Sequence, residues 1–142
     1  MASYDEVYLQ SAYDIHEYLF HMFIDSGYDF FECINAYMNG HERQLMDMGN
    51  PLALNLTPKQ LLNRMDKKGI SKADNEEIDP FISNWIADML VYLQWFYEIS
   101  SKEIVEKLDV KKLYQMYSPL HEASISNGAA KLYNNFFNNG DK

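Results

Sequence analysis

The chain has 142 residues, of which 47% are hydrophobic and 15% aromatic, and its formal net charge is −9. This length suits one domain with a substantial core, so we predict a single α-helical domain over residues 1–142. The negative charge argues against direct nucleic-acid binding, which needs a basic surface. No run of about 18 apolar residues is present, which argues against a membrane span.

The cysteine content and the first residues bear on where the protein resides. Cys33 is the only cysteine, so an intramolecular disulfide is excluded. Residues 1–10 lack the basic and apolar regions of a signal peptide. We therefore predict a cytoplasmic protein.

Acidic residues are unevenly distributed along the chain. Residues 1–48 hold nine acidic residues and one basic residue, and residues 73–98 hold six acidic residues and no basic one. Residues 49–72, in contrast, hold five basic residues and one acidic residue. Two interpretations stay open: the acidic surface serves solubility alone, or it binds a basic partner protein.

Helix-start signals recur along the first half of the chain. The segment from Ser3 to Glu6 has capping-box spacing, and apolar residues then follow at helical spacing to about residue 25. Asp29 to Glu32 repeats the signal and predicts a helix to about residue 39. A short helix over 41–48 and a loop over 49–56 follow. Thr57 then opens a helix that stops at Gly69, and residues 69–78 are predicted to be a mobile polar connector.

The stretch over residues 79–101 is predicted to organise the fold. Asp79 is suited to cap a helix whose first residue is Pro80, and this helix, over about residues 80–99, contains both tryptophans. More than half of its circumference is apolar, with Trp85 in the middle, so it should be central and mostly buried. Its remaining polar arc consists of Ser83, Asn84, Ala87, Asp88, Val91, Gln94, Trp95 and Glu98.

The last third of the chain carries further caps. Ser100 opens a capping box, Asp109 is suited to cap the next turn, Ser118-Pro119 breaks the helix, and a last helix starts near Ser124. No segment alternates convincingly at period two. The fold class is therefore predicted to be all-α, a single compact bundle of about six or seven helices around the central aromatic helix.

Motifs for metal binding and catalysis are missing from the sequence. His16 and His21 are five residues apart, which places them about 140° apart on a helix and argues against a zinc site. No glycine-rich phosphate loop and no nucleophile elbow is present. We therefore predict no metal, no cofactor and no assigned catalytic residue.

His121 and Glu122 leave two alternatives open. His121 donates to a backbone carbonyl and locks two helices together, or it acts as a general base that Glu122 orients. The second alternative describes a small enzyme, and it requires His121 and Glu122 to converge in one pocket with Asp88 and Gln94.

Val91 and Trp95 are unexpected in the polar arc, where they lie beside Asp88 and Glu98. Either a neighbouring segment covers them, or they form an exposed patch that anchors a protein interface. The candidate binding residues are therefore Asp88, Val91, Trp95, Glu98, His121 and Glu122.

Four strings in the second half of the chain form a distinctive pattern: Trp85-Ile86-Ala87-Asp88, Tyr92-Leu93-Gln94-Trp95, Ser101-Lys102-Glu103-Ile104, and Tyr117-Ser118-Pro119-Leu120-His121-Glu122. This pattern resembles that of a family of small bacterial helical proteins. The resemblance covers residues 25–125 and is firmest over residues 85–122. It implies an antitoxin-like or accessory protein that binds another protein. The chain departs from the pattern at Leu56-Thr57-Pro58, where a glycine is usual.

The leading functional hypothesis is a non-enzymatic interaction module that binds another protein. It rests on the acidic first half of the chain, the alternative of an exposed patch at Val91 and Trp95, and the missing catalytic motifs. An antitoxin-like protein that neutralises a toxin is its most specific form.

Overall fold

The computed structural model describes residues 2–138, so residue 1 and residues 139–142 of the predicted domain lie outside the described residues. The described residues form ten α-helices and no β-strand, which confirms the all-α prediction. Seven of these helices have seven or more residues, in line with the predicted six or seven. No helix within residues 2–138 has both the length and the apolar character that crossing a bilayer requires.

The helices follow one another through short connections. A 3₁₀ turn, Glu6–Tyr8, leads into the first helix, and a π-helical turn, Tyr133–Phe137, follows the last. The α-helices are α1 (Leu9–Ile24), α2 (Phe30–Met38), α3 (His41–Asp47), α4 (Pro51–Leu54), α5 (Pro58–Arg64), α6 (Pro80–Tyr97), α7 (Ser101–Lys107), α8 (Val110–Gln115), α9 (Tyr117–Leu120) and α10 (Ile125–Leu132).

Short polar side chains start most of the helices, as the sequence predicts. Each of six caps accepts a hydrogen bond from a backbone N–H of the first turn, which satisfies a group that the helix itself leaves unpaired. These caps are Asp29, Thr57, Asp79, Ser100, Asp109 and Ser124.

Three predicted starts and stops are wrong in detail. The helix that Thr57 opens ends at Arg64 and not at Gly69. Ser3 does not cap a helix, because Asp5 caps the 3₁₀ turn and Ser3 bonds to α6 instead. Residues 49–56 are not all loop, because Asn50 caps the single turn α4 with Pro51 at its first position.

Helix α6 is the centre of the molecule, and its predicted polar arc faces the interior. The most extensive helix–helix contact in the described structure is between α1 and α6. Ser83, Ala87 and Val91 recur every four residues and are buried, and such short side chains let α1 approach closely. Phe96, which belongs to the predicted apolar side, is exposed instead, and Phe81 at the start of the helix is exposed too. Trp85 is buried, as predicted.

The connector over residues 69–78 is fastened to the helices by Asn75. Its side-chain oxygen accepts from the backbone N–H of Phe30 at 3.0 Å. Its side-chain nitrogen donates to the backbone oxygens of Ile24 at 3.1 Å and Tyr28 at 2.7 Å. Asn75 therefore joins the end of α1 to the start of α2, a role that the prediction of a mobile connector did not include.

Candidate functional site

The structure corrects the predicted binding patch at Val91 and Trp95. Val91 is 1% exposed and Trp95 is 9% exposed. The indole Nε1–H of Trp95 donates to the backbone oxygen of Tyr4 at 2.8 Å. The segment that precedes α1 thus covers this part of α6, and the two side chains offer no surface to a partner. Of the two alternatives, the covered one is confirmed.

The residues of the enzyme alternative have separate partners. Gln94 is buried, where its amide donates to the hydroxyl of Ser3 at 2.8 Å. Asp88 lies in hydrogen-bond contact with Glu17 on α1. The ring of His121 stacks on Tyr117 with centroids 4.1 Å apart. No hydrogen bond or ion pair of the described residues joins His121 to Asp88 or Gln94.

The remaining candidates lie at the ends of helices. Glu98 is exposed and ends α6 in the left-handed conformation with φ of 55°. His121 is exposed, and its Nδ1 bonds to the backbone oxygen of Tyr117 at 2.7 Å, within the same turn. That contact is local, so it does not lock two helices together. Glu122 lines a surface groove between α9 and α10, with a volume of about 690 Å³.

A second groove runs between α1 and α6, and it collects acidic side chains from both helices. Its volume is about 450 Å³. We call it the α1/α6 groove, lined by Asp14, Glu17, Tyr18 and His21 of α1 and by Asn84 of α6. The two helices place these residues together because 14, 17, 18 and 21 share one face of α1.

Asp88 lies one helical turn beyond Asn84 and adds a third carboxyl group. Burial, a hydrogen bond with Glu17, and the negative charges of Glu17 and Asp14 together raise the pKa of Asp88 to about 8. Asp88 therefore keeps its proton to a higher pH than an exposed aspartic acid does. One side-chain oxygen of Asp88 and one of Asn84 are buried, and neither accepts a hydrogen bond from the described residues.

Exposed aromatic rings flank the α1/α6 groove. Tyr18 is 65% exposed, and Phe81, at the start of α6, is 76% exposed. The ends of the two helices meet here, since Nε2 of His21 lies 3.3 Å from the backbone oxygen of Pro80. Neither α1 nor α6 contains a lysine or an arginine. The surface that the two helices share is therefore acidic and aromatic.

The structure also contains a buried polar cluster that the sequence did not reveal. We use this name for His16, Tyr37, Arg43, Asp47, Gln94 and Ser101. Arg43 is 1% exposed, and its Nε–H donates to the hydroxyl of Ser101 at 2.7 Å. The Ser101 hydroxyl in turn donates to Asp47 at 2.7 Å. The cluster connects α1, α2, α3, α6 and α7.

His16 is the titratable centre of the buried polar cluster. Its Nδ1–H donates to the backbone oxygen of Ala12 at 2.7 Å, which leaves Nε2 as an acceptor. The Tyr37 hydroxyl lies 2.6 Å from Nε2, and Nη1 of Arg43 lies 3.0 Å from it. Burial and the charge of Arg43 lower the pKa of His16 to about 3. His16 is therefore a neutral acceptor that helps to satisfy a buried guanidinium group.

The described residues contain no group of three or more His, Cys, Asp and Glu side chains arranged to hold a metal ion.

Comparisons with known proteins found no relative. A scan against protein-family models, a search of curated proteins and a search of solved structures each returned no match to this chain.

Proposed function

We propose that the protein is a non-enzymatic interaction module that binds a basic partner protein through the α1/α6 groove and its aromatic flanks. The observation that carries this proposal is the composition of that surface. Two adjacent helices contribute three carboxyl groups and two exposed aromatic rings, and neither helix contains a lysine or an arginine.

Charge complementarity identifies the class of partner. The negative charges of Asp14 and Glu17 attract a positively charged surface and suppress binding of an acidic one. A lysine or arginine side chain in the groove can donate hydrogen bonds to the carboxylates of Asp14 and Glu17. Arginine suits the site better than lysine, because its planar group carries five donors.

The aromatic flanks supply the apolar contact area. Large aromatic side chains are enriched among the residues that dominate binding energy at protein interfaces. Tyr18 and Phe81 bury little of their area within the described structure, so that area is available for a partner. Arginine also stacks on aromatic rings, which combines both kinds of contact in one residue.

The finer forms of this proposal rest on the sequence. The resemblance over residues 85–122 supports an antitoxin-like or accessory role, in which the partner is a toxin that the module neutralises. The single cysteine supports a cytoplasmic setting.

Affinity capture with matched variants tests the proposed function. The native chain, Asp14→Lys and the double variant Tyr18→Ala/Phe81→Ala serve as baits, and the bound proteins are identified by mass spectrometry. Two controls change comparable exposed residues elsewhere, namely Leu52→Ala on α4 and Glu106→Lys on α7.

We expect one basic protein to be captured by the native chain and both controls, and to be lost with both groove variants. The purified partner must then bind the native chain directly, with an affinity that falls as salt is added. A partner that is captured equally by all five baits, or one that is acidic, would contradict the proposal.

A further inference from the structure

The segment that precedes α1 covers one end of α6. Residues 2–5 run across the end of α6 in a non-helical conformation. The backbone N–H of Ser3 donates to the backbone oxygen of Trp95 at 2.9 Å, and the indole of Trp95 donates to the backbone oxygen of Tyr4 at 2.8 Å. Two of the contacts that hold this segment therefore involve its main chain, which any peptide possesses.

Side chains add selectivity to these main-chain contacts. The Ser3 hydroxyl donates to the backbone oxygen of Gln94 at 3.1 Å and accepts from the Gln94 amide at 2.8 Å. The Tyr4 side chain is 9% exposed, and the charges of Arg43 and Asp47 act on its hydroxyl group. We call the site that residues 2–5 occupy the Tyr4 slot, which is bounded by Gly49 and by Gln94 and Trp95 of α6.

The walls of the Tyr4 slot belong to elements outside residues 2–5. Gln94 and Trp95 are part of the central helix α6, and Gly49 follows α3. Gly49 has φ of 72°, and a side-chain carbon there would lie 3.0 Å from the backbone oxygen of Ser3. Glycine thus leaves room for a chain to lie close against this wall. Because the walls are held by the core, the slot persists when its occupant leaves.

The fit between the slot and Tyr4 is incomplete. The Tyr4 hydroxyl is buried and has no hydrogen-bond partner among the described residues. An unpaired buried hydroxyl is unfavourable, because it has lost its bonds to water. The next residues hold the segment weakly, since Val7 is exposed and the 3₁₀ turn contains no buried residue. Residues 2–5 can therefore be displaced by a segment that fits at least as well.

We propose that the Tyr4 slot is a recognition site for an extended peptide with a hydroxyl residue followed by an aromatic residue, and that residues 2–5 occupy it as an intramolecular competitor. The expected partner is a protein segment with this chemistry. The site is distinct from the α1/α6 groove and does not depend on the function proposed for that groove.

A peptide in trans tests the proposal in the full-length chain. The probe is an acetylated peptide with the sequence of residues 2–8, and the readout is the NMR signal of the Trp95 indole N–H. The tethered segment competes at an effective concentration on the order of millimolar, so the native chain should bind the probe weakly. Tyr4→Ala empties the slot and should bind the probe at least about tenfold more tightly.

Two controls define what the result means. Tyr18→Ala truncates an exposed tyrosine outside the slot and should bind the probe as weakly as the native chain does. A probe in which alanine replaces its tyrosine should not bind Tyr4→Ala. The proposal is overturned if Tyr4→Ala binds no more tightly than the native chain, or if both probes bind it equally.

Hydrogen exchange in the native chain decides the matter if Tyr4→Ala fails to fold. We expect the Trp95 indole N–H and the Ser3 amide to exchange through a local opening, well before the amide of Leu90 in α6. Exchange of all three at one common rate under native conditions would overturn the proposal.

Discussion

His16 holds a position in which an imidazole ring has to remain neutral. Its Nε2 accepts from the cationic Arg43, so a proton there would place two positive charges side by side within the core. The folded-state pKa of about 3 lies below the ordinary value of 6.5. The contribution of neutral His16 to stability is therefore complete above pH 6.5 and is lost as the pH falls towards 3.

We expect the free energy of unfolding to fall by up to about 5 kcal/mol between pH 6.5 and pH 3 from this residue, since one pKa unit corresponds to about 1.4 kcal/mol. Urea unfolding at a series of pH values measures it. His16→Gln should have a lower free energy of unfolding at pH 7 than the native chain, and this free energy should change much less between pH 6.5 and pH 3. His21→Gln, at a half-buried histidine, is the control. An unchanged acid dependence in His16→Gln would contradict the assignment.

Asp88 produces the opposite pH dependence. Its folded-state pKa of about 8 lies above the ordinary value of 3.8, so folding favours the protonated carboxyl group. This contribution is complete below pH 3.8 and is lost as the pH rises through 8. Asp88→Asn keeps the shape without the charge and should be more stable than the native chain at pH 8, with a difference that shrinks towards pH 4. Thermal unfolding at both pH values measures the difference.

The matched control for Asp88 is Asp14→Asn, which removes one acidic residue from the exposed rim of the same groove. It should change stability by less than Asp88→Asn at pH 8. Destabilisation by Asp88→Asn at pH 8 would contradict the prediction. It would mean that the Asp88 carboxyl group is charged and favourably paired in the folded protein.

The two tryptophans should behave alike when truncated. Trp85 and Trp95 are 8% and 9% exposed, so each fills a comparable space in the core. Trp85→Ala and Trp95→Ala should each lower the free energy of unfolding by about 3–5 kcal/mol. Denaturant unfolding measures both, and Phe81→Ala, which truncates an exposed aromatic ring of the same helix, should change it by less than about 0.5 kcal/mol. If Trp95→Ala alone lowers the free energy of unfolding only slightly, then Trp95 is not part of the core and the exposed patch has to be considered again.

At the scale of secondary-structure elements, Asn75 holds the end of α1 and the start of α2 together. One side chain serves the carbonyl end of α1 and the amide end of α2 at once, and its φ of 58° is one that asparagine tolerates better than most residues. Asn75→Ala leaves buried backbone groups unpaired and strains the left-handed backbone. It should cost about 2–4 kcal/mol.

Chemical denaturation of Asn75→Ala and Asn75→Gly separates the two contributions. The glycine variant keeps the backbone conformation at no steric cost and should retain more stability than the alanine variant. Asn63→Ala, at an exposed position of α5, is the control. If Asn75→Ala costs no more than Asn63→Ala, residues 69–78 are not a fastened connector.

Local signals explain which elements could be predicted. A cap such as Asp79 or Thr57 acts on backbone groups within three residues, so its pattern can be read directly from the sequence. The Ser3 pattern looks the same, yet Ser3 is engaged by Gln94, 91 positions away. A partner so distant in sequence cannot be recognised from the few residues around Ser3, and the predicted cap is wrong for that reason.

The same distinction explains the orientation of α6. Its polar arc contains Asp88, Gln94 and Glu98, and amphipathicity alone turns such an arc towards solvent. The short side chains of Ser83 and Ala87 instead admit α1, and Gln94 then bonds to Ser3 while Glu98 stays exposed at the end of the helix. Arg43 is a further case, since a charged residue is predicted to be exposed unless its partner Ser101, 58 positions away, is known.

At the scale of the whole molecule, the distribution of charge is the feature with the largest consequence. The first 48 residues carry nine acidic residues, and their one basic residue, Arg43, is buried. Repulsion among the remaining surface carboxylates opposes the packing of α1 on α6. Added salt screens this repulsion over about 10 Å at 0.1 M.

We therefore expect the melting temperature to rise by a few degrees between about 0.01 M and 0.3 M sodium chloride, because screening removes self-repulsion in a chain of net charge −9. Differential scanning calorimetry measures the shift, and Asp14→Lys should reduce it. A melting temperature that falls with salt would mean that attractive ion pairs, such as Arg64 with Glu42, outweigh the repulsion.

The candidate site was only partly predictable at this scale. The sequence indicated acidic residues in the first half of the chain, two of which line the α1/α6 groove, and it singled out Asp88, which contacts Glu17 there. It did not indicate Tyr18 or Phe81, because each reads as one more apolar residue of a helical stripe. Their exposure depends on how α1 and α6 are rotated against each other, which long-range packing decides.

The burial of Cys33 makes this chain convenient to label. It is the only thiol in the sequence, and its side chain is 3% exposed. A cysteine placed at an exposed position therefore reacts with a maleimide dye while the native thiol stays protected in the folded protein. Phe81→Cys would carry one fluorophore at the rim of the α1/α6 groove, and Leu52→Cys would carry the same fluorophore on another surface. Because no background thiol has to be removed first, the core packing around α2 is left intact in both labelled proteins.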